Sequence, residues 1–165
     1  MLDRNKSYLE SFNFAFLGLS KLLETKITKS PKLVNLEVTK KCNARCDFCD
    51  YWQTQHEEKL DDYTDLIKKI NPLVVMITGG EPMMRKDIVD IIRQVKSASY
   101  FTYTGIITKG DMLNIDKAKS MYEAGIDQIA ISLDFLGDRH SENRGVNGLW
   151  NHISELIPQI SSELR

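Results

Sequence analysis

The chain has 165 residues, of which 42% are hydrophobic and 27% are charged, a balance typical of a globular domain long enough to bury a core. Its formal net charge of −1 gives no general attraction for nucleic acid, so we expect no nucleic-acid partner. No run approaches the roughly 20 apolar residues of a membrane span, and no secretory signal pattern is recognisable. A cytoplasmic location is the default expectation.

An amphipathic helix is the first predicted element, over residues 5–25. Its apolar stripe comprises Leu9, Phe12, Phe16, Leu19 and Leu23, widened by Phe14, Leu17 and Leu22. The spacing of three or four residues is that of one helix face, and the mixed polar residues favour packing against the rest of the chain over a membrane surface or a partner. Ser30-Pro31 breaks the pattern, which predicts an N-terminal helical extension over residues 1–30 and a main domain over 31–165.

Short apolar runs of strand type follow from residue 32 onward, and they alternate four times with helical patterns. The runs lie at Val34, Leu36 and Val38, then at residues 73–77, 105–107 and 129–131. Continuous runs fit strands that are covered on both faces. Asn114 is a candidate N-cap and Gly125 a candidate helix stop. This alternation predicts an α/β fold of parallel βα repeats.

The three cysteines of the chain all lie within residues 42–49, directly after the first predicted strand. Because an odd number cannot all pair as disulfides, Cys42, Cys46 and Cys49 point to a metal or a cluster. Three thiolates suit zinc or iron–sulfur, and on a four-iron cluster they would leave one iron open to a small molecule. A zinc-stabilised binding module with His56 as fourth ligand is the alternative. Buried free cysteines fit poorly with the polar neighbours.

Further motifs follow the next strands, at the carboxyl ends where ligands bind in α/β sheets. They are Gly79-Gly80-Glu81-Pro82, Thr108-Lys109-Gly110, Ser132-Leu133-Asp134 and Arg144-Gly145. Two glycines let backbone carbonyls approach an ammonium group while Glu81 supplies negative charge, although a plain glycine turn has the same pattern. Thr108, Ser132 and Asp134 can hydrogen-bond a ribose or a carboxylate.

Two charged side chains near the end of this series allow more than one interpretation. Arg144 could pair with a ligand carboxylate or form a surface ion pair with Glu142. His140 is interpreted as an ordinary loop histidine and not as a ligand.

The cysteine motif, with Phe48 before its last cysteine, and the later motifs in this order resemble the signature of the radical S-adenosylmethionine (radical SAM) superfamily. The resemblance covers residues 32–150 and is greatest for the branch of the molybdenum-cofactor cyclase and the SPASM-type peptide-modifying enzymes. It implies a [4Fe–4S] cluster on Cys42, Cys46 and Cys49, with S-adenosylmethionine on the open iron. The residues implied to bind S-adenosylmethionine are Phe48, Gly79, Gly80, Glu81, Thr108, Ser132, Asp134 and Arg144. Lys109 stands where relatives often have asparagine, so no role is carried over to it.

The resemblance also implies an activity and an architecture. The expected enzyme reductively cleaves S-adenosylmethionine to a 5′-deoxyadenosyl radical that abstracts hydrogen from an organic substrate, a small molecule or a peptide. An electron donor such as flavodoxin or ferredoxin is implied. The expected fold is a partial TIM barrel with about four of the family's six βα units, C-terminally incomplete. Its open fourth strand could self-associate, and such a truncated core could bind the cluster without productive turnover.

Overall fold

The computed structural model describes residues 4–54 and 59–163. Its helices are α1 (Arg4–Thr28), α2 (Thr64–Ile70), α3 (Ile88–Ser97), α4 (Ile115–Glu123), α5 (Asp138–Arg144) and α6 (Leu149–Glu163). Its strands are β1 (Leu33–Glu37), β2 (Val74–Thr78), β3 (Tyr103–Thr108) and β4 (Gln128–Ile131), and two single 3₁₀ turns occupy Tyr51–Gln53 and Pro82–Met84. His56, the fourth ligand of the zinc hypothesis, lies outside the described residues.

The strands in the described part of the chain form one parallel sheet in the order β1-β2-β3-β4. Leu33 pairs with Val74, and Val74 in turn pairs with Tyr103, so the first strands start in register. One helix lies between each strand and the next, so every connection is a βα crossover. The predicted α/β fold of parallel βα units is therefore confirmed, with β1 and β4 at the edges of this sheet.

The hydrophobic core lies between the sheet and its crossover helices. Its fully buried members include Ile67, Val75, Ile77, Ile91, Ile92, Val95, Ile106, Ala118 and Met121. Burial alternates along β2, where Val75 and Ile77 are buried but Val74 and Met76 only half-buried. Both faces of this run are therefore at least partly covered, and the face with Val75 and Ile77 is the more deeply buried.

Helix α1 packs across the amino ends of the strands. The Phe14 ring meets the Phe101 ring edge-on at a centroid distance of 5.2 Å. Gly18 faces that same Phe101 ring, and Lys21 is fully buried where its ammonium donates to Asn71 and Ser99. The predicted helix is present and packs against the rest of the chain, as expected.

The central residues of the predicted stripe of α1, however, are not on the face that packs, although Phe14 from its wider part is. Phe12, Phe16 and Leu19 are 69%, 59% and 57% exposed. The packed face instead uses Gly18, which leaves room for an aromatic ring, and Lys21, which reaches two polar acceptors. Among the described residues, no helix combines the length and the apolar character required to cross a membrane.

Candidate functional site

A cavity of about 240 Å³ opens at the carboxyl ends of the strands. Its walls are Cys42, Ala44, Cys46, Phe48, Cys49, Tyr51, Thr78, Gly79, Gly80, Glu81, Ile107, Thr108, Lys109, Ser132 and Arg144. Every site residue predicted from the sequence except Asp134 is on this wall. The structure thus brings together side chains that are up to about a hundred positions apart, because parallel strands end at the same edge of a sheet.

The three cysteines lie on a loop between β1 and the first 3₁₀ turn, and all are free thiols. Cys46 is buried, whereas Cys42 and Cys49 are half-buried. Burial raises the pKa of the Cys46 thiol, an effect that the neighbouring Arg144 partly offsets. A bound metal centre would favour the thiolate form, because a cation at the sulfur stabilises its negative charge.

The donor set fits an iron–sulfur cluster. Within residues 4–54 and 59–163, no three side chains of His, Cys, Asp or Glu converge on a point suited to one metal ion. A [4Fe–4S] cluster has no need of such a point, because each thiolate binds a different iron. Three soft sulfur donors on the wall of one cavity provide that arrangement.

The two glycines of the second motif pack directly on the chain that leads into the cysteine loop. The amide of Gly80 donates to Thr39 O and that of Glu81 donates to Lys41 O, each at 2.8 Å. A Cβ on Gly79 would lie 2.2 Å from Thr39 O, and one on Gly80 would lie 2.3 Å from Lys41 O. Glycine is therefore required here for backbone contact with the cysteine loop, a reason that the sequence pattern did not reveal.

The carboxylate of Glu81 is 1% exposed and is fully engaged with protein groups. Oε1 accepts from Met83 N at 3.0 Å and from Thr108 Oγ1 at 2.7 Å. Oε2 accepts from the backbone amide and the ammonium of Lys109, at 3.0 and 3.3 Å. A carboxylate has about four acceptor positions, so Glu81 holds the loops after β2 and β3 together.

Arg144 pairs with Asp134 and not with Glu142, the ion-pair partner weighed from the sequence. Its Nε and Nη2 donate to Asp134 at 2.6 and 2.9 Å. These hydrogen bonds hold the pKa of Asp134 below its ordinary value. The guanidinium also lies 5.3 Å from the centre of the Phe48 ring. Asp134 therefore fixes a cavity side chain without lining the cavity itself.

His140 lies within α5 and is fully buried, so its interpretation as a loop histidine is wrong about its position. Its Nδ1 accepts from the amide of Asp134 at 3.4 Å. Burial lowers the pKa of this imidazole. His140 is not on the cavity wall.

Arg85 supports the segment that carries the cysteines, a role that the sequence did not predict. This side chain is 5% exposed and pairs in a fork with Asp87. Its remaining hydrogen bonds go to Val38 O and Leu60 O, each at 3.1 Å. These carbonyls stand before and after the segment that carries the cysteines, so Arg85 clamps the base of that segment. A single arginine after the glycine motif gave no signal for this role.

Lys109 is the second missed residue, because its departure from the usual asparagine left it without a role. The structure places this side chain on the cavity wall with only 4% of the residue exposed. Its ammonium contacts Glu81, Asp111 and Asn43. Buried lysines are rare unless paired, and the sequence could not show which acidic groups would surround this one.

Fold and site together define an α/β class of protein in which a cysteine-lined cavity lies at the carboxyl ends of a parallel sheet. A family model described as the radical SAM superfamily matches residues 36–162. The chain belongs to the radical SAM superfamily. The cofactors of this superfamily are a [4Fe–4S] cluster and S-adenosylmethionine.

The chain is similar to curated GTP 3′,8-cyclases. It is 37% identical over 110 residues to that of Limosilactobacillus fermentum, a match that covers 61% of this chain and 33% of the relative. It is 36% identical over 125 residues to that of Lactiplantibacillus plantarum, covering 69% of this chain and 37% of the relative. The chain therefore spans little more than a third of the length of these relatives.

Solved structures show the same fold at lower sequence identity. Streptococcus suis SuiB bound to S-adenosylmethionine has a TM-score of 0.62 at 18% identity, covering 80% of this chain and 33% of SuiB. BtrN in complex with AdoMet and 2-DOIA has a TM-score of 0.53 at 20% identity, covering 70% of this chain and 50% of BtrN. These matches establish the partial-barrel fold and, at such identities, nothing further.

Proposed function

We propose that this chain binds one [4Fe–4S] cluster through Cys42, Cys46 and Cys49 and binds S-adenosylmethionine in the same cavity. The observation that carries the proposal is that all three thiols share one wall with the polar ends of β2, β3 and β4. When bound, this pair of cofactors supplies the electron and the 5′-deoxyadenosyl radical for hydrogen abstraction. The protein's contribution is to position the cofactor and to exclude water.

Each group on the wall has a role that its contacts support. Backbone carbonyls at Gly79 and Gly80 would accept from the cofactor's ammonium group, while the carboxylate of Glu81 holds this turn in place. Ser132, at the end of β4, offers a hydroxyl to a ribose or a carboxylate. The hydroxyl of Thr108, at the end of β3, donates to Glu81 and accepts from Gly110 N, so it would only accept from a ribose hydroxyl. Phe48 and Arg144 cover the cavity, and Asp134 holds Arg144.

The substrate of the proposed reaction is a small molecule or a peptide. GTP is the first compound to test because of the similarity to GTP 3′,8-cyclases. Residues 31–165 would form the catalytic core and residues 1–30 an extension to it. A flavodoxin or ferredoxin in the cytoplasm would supply the electron. The edge of β4 is the part of the sheet at which self-association would occur.

Anaerobic reconstitution with iron and sulfide tests the proposal. Wild-type protein should take up about four irons per chain and form 5′-deoxyadenosine from S-adenosylmethionine under reducing conditions. Cys46→Ala should lose most of that iron, whereas Ser97→Ala, an exposed small-side-chain control on α3, should retain it. Full iron content in Cys46→Ala, or a colourless protein that binds zinc stoichiometrically, would contradict the proposal.

A further inference from the structure

The side chain of Lys109 is surrounded by acceptors from three separate segments. Its Nζ lies 3.3 Å from Glu81 Oε2 in the loop after β2 and 3.0 Å from Asp111 Oδ1 in the loop after β3. It also donates to Asn43 Oδ1 in the cysteine loop. An ammonium group has three N–H donors. Two of these donors are hydrogen-bonded, to Glu81 and Asn43, and Asp111 adds a close ion pair to the same ammonium without a hydrogen bond.

Asn43 closes this set of contacts into a ring. Its amide Nδ2 donates to Asp111 Oδ2 at 2.6 Å while its Oδ1 accepts from Lys109. Asn43 is itself exposed and directly follows Cys42. Lys109 and Asp111, which both follow β3, thus fix the conformation of Asn43 beside Cys42.

The two buried carboxylates of Glu81 and Asp111 require the positive charge of Lys109. The side chains of Glu81 and Lys109 are 1% and 3% exposed, and that of Asp111 is 13% exposed. Without the ammonium, two carboxylates would face each other at the cavity with no cation between them, which is strongly unfavourable in a buried site. An uncharged residue at position 109 would leave both without compensation.

We propose that Lys109 is a positioning residue that couples the loops after β2 and β3 to the cysteine loop through Asn43, and so fixes Cys42 for the cluster. The coupling to the cluster rests on the proposed function, whereas the coupling between loops does not. Lys109 acts through its contacts with Glu81, Asp111 and Asn43. The lysine found in place of the usual asparagine is then matched by Asp111 two residues later.

A double-mutant cycle between Lys109 and Asn43 tests this coupling. The variants are Lys109→Met, Asn43→Ala and the double variant. The control is Lys96→Met, which removes another paired lysine, bonded to Asp127 at 2.8 Å near the opposite end of β3. The first readout is hydrogen–deuterium exchange of residues 40–46 in iron-free protein. The second is the rate at which a chelator removes iron from reconstituted protein.

Each of Lys109→Met and Asn43→Ala should raise both rates by about tenfold, since such supporting contacts typically change metal affinity by that factor or more. The double variant should be no more than about twofold faster than the more severe single variant, because both changes break the same link. Lys96→Met should stay within about twofold of wild type. A role in overall stability alone would give the two lysine variants the same effect.

Two results would overturn the proposal. One is hydrogen–deuterium exchange of residues 40–46 in Asn43→Ala at the same rate as in wild type. Because Asn43 is exposed, this variant keeps the test valid even where Lys109→Met fails to fold. The other is a double variant in which the fold-increases in rate of the two single variants multiply, which would mean that the two side chains act independently. If wild-type protein takes up no cluster, the proposed function fails, and the exchange readout still decides the coupling.

Discussion

Gly80→Ala is the substitution for which the structure gives the sharpest expectation. The Cβ of alanine would lie 2.3 Å from Lys41 O and 2.6 Å from Lys40 O. Both contacts are with backbone atoms, which cannot rotate away as the end of a long side chain can. The backbone leading into the cysteine loop must therefore separate from the turn after β2, or the turn itself must distort.

The size of the effect follows from the contacts that would be lost. Separation removes the hydrogen bonds from the Gly80 and Glu81 amides, both at 2.8 Å, and each contributes about 1 kcal/mol. Residual overpacking adds about 1–3 kcal/mol. We therefore expect the free energy of unfolding to fall by about 4 kcal/mol. Displacement of the loop should also reduce iron uptake.

Gly148→Ala is the matched control. Gly148 has a φ of +70°, and a Cβ there would meet nothing within 4 Å. Alanine at this position suffers the strain of a left-handed backbone, about 1–2 kcal/mol, without a clash. Urea unfolding of the iron-free proteins, followed by circular dichroism, compares the two variants, and iron analysis after reconstitution gives the second readout.

The reasoning would be refuted by either of two results for Gly80→Ala. One is a loss of stability no greater than that of Gly148→Ala. The other is full iron content, which would mean that the cysteine loop tolerates separation from the turn after β2. If Gly80→Ala and Gly148→Ala had the same free energy of unfolding and the same iron content, glycine would be needed at position 80 only for its backbone flexibility and not for close contact with the cysteine loop.

Two further predictions concern charged groups near the site. Arg85→Met should lower the free energy of unfolding by about 3 kcal/mol, because it frees two clamped carbonyls and one carboxylate; the exposed-pair control Arg93→Met should lower it by less than about 0.5 kcal/mol. Equal losses in urea unfolding would exclude the clamp. Because Arg144 holds the pKa of Asp134 down, their pair stabilises the fold above the ordinary carboxyl range. That contribution is lost as pH falls through the lowered pKa, so the stabilities of wild type and Asp134→Asn should differ at pH 7 and converge once pH is below that lowered pKa. A pH-independent difference between them would contradict this assignment.

Periodicity predicted the sheet because each strand and helix obeys its local pattern. Asn114 is an N-cap as expected, with its Oδ1 accepting from Lys117 N at 2.8 Å, and Gly125 follows the same helix with a φ of +94°. The convergence of the site was also predictable, since parallel strands place their following loops at one edge. Knowing the strand order was enough to bring the cysteine loop, the glycine turn and Ser132 together.

The packed face of α1 was not predictable in the same way. Both of its faces have helical spacing, and the more apolar one contains Phe12 and Phe16, which remain exposed. The choice depends on what lies opposite, namely the Phe101 ring that fits over Gly18 and the two acceptors that surround Lys21. A hydrophobic stripe identifies a helix, but the surface that it meets selects the buried face.

The same limit explains why Lys109 and Arg85 were missed although the rest of the site was found. A lone cation in a sequence is expected to be solvated, because burying it requires partners that its neighbours do not reveal. The partners of Lys109 are 28 and 66 residues away, and those of Arg85 include carbonyls 47 and 25 residues away. A departure from a motif, as at Lys109, is therefore best interpreted together with the nearby residues that compensate its charge, here Asp111.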